Sequence, residues 1–220
     1  MDPERTPSAV PSAGHVGIRT SCGGGRALGA VLAGGRGSRL GGAKATAKLA
    51  GRPLISYPLA ALAAAGIDAF VVAKPSTALR AIDGVEVVTE PQEPTHPLAG
   101  IVAALRHAGR PLVVVACDFP FAPPALLRAL AEAPEPLVVP APGGDPQPLL
   151  ARWTPELLPR LDAALAREEP LRRTVAALSP RLLGDAELAG FGDPARAFLN
   201  VNVPKELLEA ERALGSSHGE

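Results

Sequence analysis

Along most of the chain, short apolar runs alternate with longer stretches whose apolar residues recur at helical spacing. Residues 27–32, 69–73 and 112–116 are continuous apolar runs, and residues 85–89 read as a further strand. Runs without alternation predict strands buried on both faces, the pattern of a parallel sheet covered by helices. Between them, residues 53–65, 97–108 and 123–131 carry helical patterns. Pro53 suits a first helical turn, where the missing N–H is not needed. Strands and helices taking turns predict an α/β fold, a three-layer α/β/α sandwich with a mostly parallel sheet. In such folds ligands gather at the carboxyl ends of the strands.

The rhythm loosens after residue 131. Residues 137–140 and 148–153 read as strands flanking the loop 141–147. Residues 154–166 have helical spacing behind Thr154, an N-cap candidate followed by proline. Residues 170–178 predict another helix carrying Arg172 and Arg173, residues 198–203 a short strand or extended turn, and residues 204–214 a final helix. The first 26 residues are rich in Pro, Ser, Gly and Thr and lack apolar periodicity, which predicts a flexible extension. The expected organisation is an extension at 1–26, one folded domain at 27–214 and a disordered tail at 215–220.

Composition narrows the function classes. At 220 residues and 47% hydrophobic, the chain can bury one sizeable core, and with aromatics at 3% that core must be built mainly from Ala, Leu and Val. Lys+Arg and Asp+Glu are both 22, so no global charge argues for nucleic acid or a membrane surface as partner. Anion binding, if any, must come from local placement. Cys22 and Cys117 make neither a disulfide framework nor a zinc ligand set, which points to a reducing compartment. The N-terminus has no apolar core of a secretory signal, and no window is long and apolar enough to span a bilayer. The expectation is a soluble, cytoplasmic protein.

Two places carry candidate chemistry. The first strand empties into Leu32-Ala33-Gly34-Gly35-Arg36-Gly37-Ser38-Arg39-Leu40-Gly41-Gly42-Ala43-Lys44. Glycines bring bare N–H groups close to an anion, and Arg39 and Lys44 add the charge a di- or triphosphate needs. The loop is neither a Walker loop nor a complete dinucleotide fingerprint, and a surface turn with solvated cations is the alternative. The second place is Asp118 in Cys117-Asp118-Phe119-Pro120, which follows the strand at 112–116. A carboxylate there is placed to hold Mg²⁺ on phosphate oxygens, or to cap the helix opening near Pro123.

The ordered motifs resemble one family. Leu32-Ala33-Gly34-Gly35, Arg39-Leu40-Gly41 and Lys44 are similar to the L-A-G-G-x-x-x-R-M-G-x-x-K signature of nucleotidyltransferases, and among these to molybdenum cofactor guanylyltransferases. Gly51-Arg52-Pro53-Leu54, Pro97-Leu98-Ala99-Gly100, Cys117-Asp118-Phe119-Pro120, Gln147-Pro148-Leu149-Leu150-Ala151 and Phe198-Leu199-Asn200-Val201-Asn202-Val203-Pro204 match further family segments in order. The resemblance implies a Rossmann-like domain that moves GMP from GTP to the terminal phosphate of molybdopterin or its molybdenum-loaded form, with pyrophosphate as the other product. It implies that the backbone of Leu32, Ala33 and Gly34 meets the nucleotide and that Gly35 admits the triphosphate. Arg39, Lys44 and Asp118 would be catalytic, with Asp118 holding the Mg²⁺ cofactor. Glu90, Asn200 and Asn202 would complete the binding residues, the two asparagines near the metal and the pterin phosphate or, alternatively, capping the helix at Pro204. Molybdoenzyme-maturation proteins would be further partners.

The chain departs from the family pattern at Ala43 (commonly Asp), Leu40 (Met), His96 (Gly), Glu90 (Asp) and Val203 (Thr). Alternatives therefore stand beside guanylyl transfer: cytidylyl or sugar-phosphate nucleotidyl transfer on the same fold, or a non-catalytic nucleotide-binding homologue. Arg172 and Arg173 are either receivers for the pterin phosphate or solvated surface arginines. His107 sits late in a helix, where the dipole favours positive charge, and Cys117 is expected to pack beneath the site rather than act as a nucleophile.

Overall fold

The structure is a computed structural model that describes residues 26–34, 44–77, 79 and 84–215. In chain order the elements are β1 (Leu28–Leu32), β2 (Lys48–Leu49), β3 (Arg52–Pro53), α1 (Ser56–Ala64), β4 (Ala69–Ala73), β5 (Val87–Thr89), α2 (Pro97–Ala108), β6 (Leu112–Ala116), α3 (Pro124–Glu132), β7 (Leu137–Pro140), β8 (Leu150–Trp153), α4 (Leu158–Ala166), α5 (Leu171–Ala177), β9 (Arg181–Leu183), α6 (Asp185–Leu188), α7 (Pro194–Ala197) and α8 (Pro204–Gly215).

The apolar runs become a seven-stranded sheet in the order β5-β4-β1-β6-β8-β7-β9. β1 pairs in parallel with β4 and β6, while β8 runs antiparallel to both of its neighbours. Because side chains alternate across a strand, successive residues feed two cores. Val31, Val71, Val113 and Val115 pack with Leu62 of α1 and Leu126, Leu127 and Leu130 of α3. Ala30, Phe70, Val72 and Val114 pack on the other face with Ile101 and Leu105 of α2, Leu161 of α4 and Val175 of α5. The expected three-layer α/β/α sandwich with a mostly parallel sheet is the observed one. Among the described residues no helix is long and apolar enough to cross a membrane.

Several local expectations are corrected. Pro53 does not open a helix: it lies in β3, paired with Lys48 in a β2–β3 hairpin, and α1 starts at Ser56. The hairpin turn is Ala50-Gly51 with φ of 47° and 78°, the doubly positive pair that matches the twist of a two-residue hairpin. Thr154 does not cap with its side chain, because a 3-10 turn at Pro155–Leu157 intervenes before α4. Its hydroxyl is buried with no hydrogen-bond partner among the described residues. Of the two readings for residues 198–203, the extended turn is the observed one. β9, α6 and α7 were not anticipated.

A third, small core sets the site. Leu49 and Leu54 of the hairpin region pack against Val201 and Ala210. This cluster ties α8 and the turn before it to the segment that begins at Lys44. Residues distant in sequence are thereby brought to the carboxyl ends of β1 and β6.

Candidate active site

The carboxyl ends of β5, β4, β1 and β6 open onto a cavity of about 310 Å³, lined among others by Gly34, Lys44, Lys74, Glu90, His96 and Asp118. A second cavity of about 350 Å³ lies beside it, lined by Gln147, Leu171, Arg172 and Asn200. Asp118 belongs to both walls. The two cavities therefore meet at one carboxylate.

Around Asp118 the contacts are short and polar. Lys44 Nζ stands 2.5 Å from Asp118 Oδ2 and donates to Asn202 Oδ1 at 2.5 Å. Both members of the ion pair are largely withdrawn from solvent, at 14% and 13% exposure, so removing one partner would leave a poorly solvated charge. The backbone locks this arrangement, since Val201 N–H donates to the Asp118 carbonyl. Asp118 Oδ1 and Asn200 Oδ1 are buried and have no hydrogen-bond partner among the described residues. Two orphaned hard oxygens beside a phosphate-sized cavity fit a Mg²⁺ ion, which takes one or two protein oxygens and completes its shell with water and phosphate. Among the described residues no cluster of three His, Cys, Asp or Glu side chains could hold a metal. A metal at Asp118 would thus rely on its phosphate ligands.

The alternative roles raised for these residues are resolved by geometry. Asp118 caps no helix: the residue before α3 is Pro123, without a side-chain cap. Asn202 directs its side chain to Lys44, and the cap of α8 comes from Glu206, whose carboxylate accepts from the N–H groups of Asn202 and Val203. That is the return half of a capping box. His96, in the place of a glycine, caps α2 by accepting from Leu98 N–H at 3.2 Å.

At the other end of the first cavity sits Glu90, whose N–H continues the sheet by donating to the Ala73 carbonyl. Its side chain is 5% exposed. Burial pushes its carboxyl above the usual carboxylate range, and the nearby Lys74 ammonium pulls it partly back. A Cβ on Gly34 would stand 1.7 Å from Glu90 Oε1, and one on Gly100 would stand 3.0 Å from Oε2. The two glycines leave the room that the carboxylate occupies. Lys74 is itself buried and donates to the carbonyls of Pro91 at 2.7 Å and Gln92 at 2.9 Å. Reading the sequence by motif missed Lys74. Its position directly after β4, equivalent to that of Asp118 after β6, was the available signal.

Of the remaining candidates, Leu32 lines the cavity and Ala33 is buried beneath it, its N–H donating to Val72 O. Gly35 and Arg39, with Leu40 and Ala43, lie outside the described residues. Arg172 lines the second cavity and pairs with Asp145 at 2.6 Å. Arg173 is 81% exposed and pairs with Glu169. His107 is far from the site, beside Glu86 and the Phe70 ring. Cys117 packs in the cavity wall, and burial pushes its thiol up to about 12. It is no nucleophile at neutral pH.

Comparison with known proteins now bears on this geometry. The MobA-like NTP transferase domain matches residues 29–182. The chain belongs to the MobA-like NTP transferase family. The molybdenum cofactor guanylyltransferase of Cereibacter sphaeroides is 35% identical over 200 residues, covering 86% of this chain and 97% of that protein. That of Rhodobacter capsulatus is 35% identical over 197 residues, with the same coverage. The crystal structure of molybdopterin-guanine dinucleotide biosynthesis protein A from Archaeoglobus fulgidus superposes with a TM-score of 0.73 at 26% identity, over 86% of this chain and 99% of that one. As a MobA-like NTP transferase the chain is a nucleotidyltransferase.

Proposed function

We propose that this protein is a molybdenum cofactor guanylyltransferase. An oxygen of the terminal phosphate of molybdopterin, or of its molybdenum-loaded form, attacks the α-phosphorus of GTP. The bond between the α-phosphorus and the bridging oxygen breaks, and pyrophosphate leaves with the electron pair. The observation that carries this reading is the meeting of two cavities at Asp118, in a chain whose relatives bear that name.

The nucleophile is already anionic near neutral pH, so no general base is needed. The work is alignment and charge neutralisation. Lys44, held at Asp118, faces the phosphates, with Arg39 assigned to the same charges by its place in the signature. Asp118 Oδ1 and Asn200 Oδ1 would hold Mg²⁺, which when bound offsets charge on the phosphate oxygens. At the opposite end, guanine presents its N1–H and N2–H groups side by side, and the Glu90 carboxylate can accept from both. The backbone of Leu32, Ala33 and Gly34 supports the nucleotide between these ends. The second cavity, with Gln147, Arg172 and Asn200, receives the pterin substrate. The reaction belongs in the cytoplasm, where GTP is available, and its dinucleotide product would pass to molybdoenzyme-maturation proteins.

The test is pyrophosphate release from purified protein with molybdopterin and Mg²⁺, given GTP, CTP, ATP or UTP separately. Release with GTP alone is expected. Release with CTP alone would overturn the guanylyl assignment, and release with none would favour a nucleotide-binding protein without turnover.

A further inference from the structure

A buried lysine that faces a cavity yet makes no short ion pair among the described residues needs a reason. Lys74 is 7% exposed, and its ammonium donates to two backbone carbonyls, Pro91 and Gln92, rather than to a carboxylate. Those carbonyls belong to the bend that directly follows Glu90, and Glu90 N–H is fixed in turn to Ala73, the residue before Lys74. The lysine and the glutamate are therefore held as one unit across the ends of β4 and β5.

The surroundings explain what such a unit does. Among the described residues, the charged or titratable side chains that face this cavity beside Glu90 are Lys74 beyond β4, Lys44 before the hairpin, Cys117 and Asp118 beyond β6 and His96 at the head of α2. Lys44 is paired with Asp118 and Asn202, and His96 Nδ1 accepts from the backbone. Lys74 is the cation whose field reaches the Glu90 carboxylate. Glu90 itself is flanked by Gly34 and Gly100, which offer no side-chain donor. A carboxylate to which no described side chain donates and a lysine that sets both its place and its field form a recognition device for a ligand bearing adjacent N–H groups.

We propose that Lys74 is a positioning residue for nucleobase choice: it locks the bend after Glu90 and so fixes that carboxylate at the base-binding end of the cavity. The inference rests on the guanylyl reading for the identity of the base. A charge-assisted contact to two N–H groups is stronger than one made by a neutral acid, which can accept at only one oxygen while donating at the other. Lys74 thereby acts on the base through Glu90 and touches no reacting atom.

The test is calorimetric binding of GTP and of inosine triphosphate, which lacks the 2-amino group, to wild type, Lys74→Met, Lys74→Arg and Glu90→Gln, followed by the pH dependence of GTP binding. Lys74→Met is expected to weaken GTP about tenfold and inosine triphosphate less, and to shift the acidic limb of GTP binding to higher pH. Lys74→Arg should recover most of the loss. In the Glu90→Gln background the Lys74→Met change should have little further effect, as for two residues acting through one contact. Equal weakening of both nucleotides with an unmoved pH limb would reduce Lys74 to a structural staple and overturn the proposal. So would unchanged binding. If Lys74→Met does not fold, Lys74→Gln keeps an amide donor without the charge and carries the same comparison. Wild type that binds CTP in preference to GTP would sink the guanylyl reading instead. The double-mutant comparison on CTP then decides Lys74 separately: an effect that survives Glu90→Gln overturns it, and one that vanishes supports it.

Discussion

Gly34→Ala probes the cavity with a single methyl group. The backbone at Gly34 does not occupy the left-handed region, so alanine is tolerated there. The added Cβ would stand 1.7 Å from Glu90 Oε1 and 2.9 Å from its Cδ. To regain ordinary van der Waals contact, Oε1 must withdraw by roughly 1.7 Å. The carboxylate ends a flexible side chain, so it can retreat while the fold survives. Overpacking of about 1–3 kcal/mol is partly offset by the gain of about 0.4–1 kcal/mol from a less flexible unfolded chain. A fall in Tm of a few degrees is expected. Withdrawal costs the base its carboxylate, a loss of about 1.5–3 kcal/mol for a charge-assisted contact, which is roughly 10–150-fold in KM for GTP. The kcat should change little, because the reacting phosphates lie at the Asp118 end. Steady-state pyrophosphate release across a GTP titration reads both quantities. Adding Glu90→Asp, shorter by one carbon–carbon bond of about 1.5 Å, should restore part of the loss. A KM within about twofold of wild type, or a double variant no better than the single one, refutes the reasoning.

Asp118→Ala is expected to keep the fold by circular dichroism yet lose about 10²–10³-fold in kcat, and chelation of Mg²⁺ in the wild type should abolish turnover reversibly. Unchanged turnover in the variant would remove Asp118 from the chemistry. Glu90→Gln should raise Tm at about pH 8 and matter progressively less toward about pH 4. The sign follows because the Glu90 carboxyl is raised in the fold: the folded chain binds its proton more tightly, so stability falls as pH climbs between the unfolded and folded values. Cys117, buried and with its thiol pushed up to about 12, should resist iodoacetamide at about pH 8 in the folded protein and react in denaturant, as peptide mass mapping would show.

Much of the fold was readable because buried parallel strands need unbroken apolar runs, and β1, β4 and β6 are of that kind. An apolar run carries no direction, however. Leu150–Trp153 reads as a strand whichever way it points, and only its pairing with Leu112–Ala116 shows that it is reversed. The hairpin at Ala50-Gly51 was hidden behind Pro53, which looked like a helix opening. At the site, motif order brought Lys44, Asp118 and Asn202 onto the same page, but not into contact. Lys44 meets Asn202 across 158 positions of sequence, a closeness set by the small core of Leu49, Leu54, Val201 and Ala210. Lys74 and the cap from Glu206 were invisible to motif reading because neither belongs to a matched segment. Both act through backbone carbonyls or N–H groups, which leave no side-chain signature.

One cavity selects guanine and delivers its nucleotide to a phosphate in the next. This is tested most directly by competition: molybdopterin, Mg²⁺ and equal amounts of GTP, CTP, ATP and UTP in one mixture with the protein, and the mass of the dinucleotide formed. The GMP adduct is expected with pyrophosphate in equal amount, and it is expected to disappear in Asp118→Ala. A CMP adduct, or an adduct formed equally well by Asp118→Ala, would contradict it.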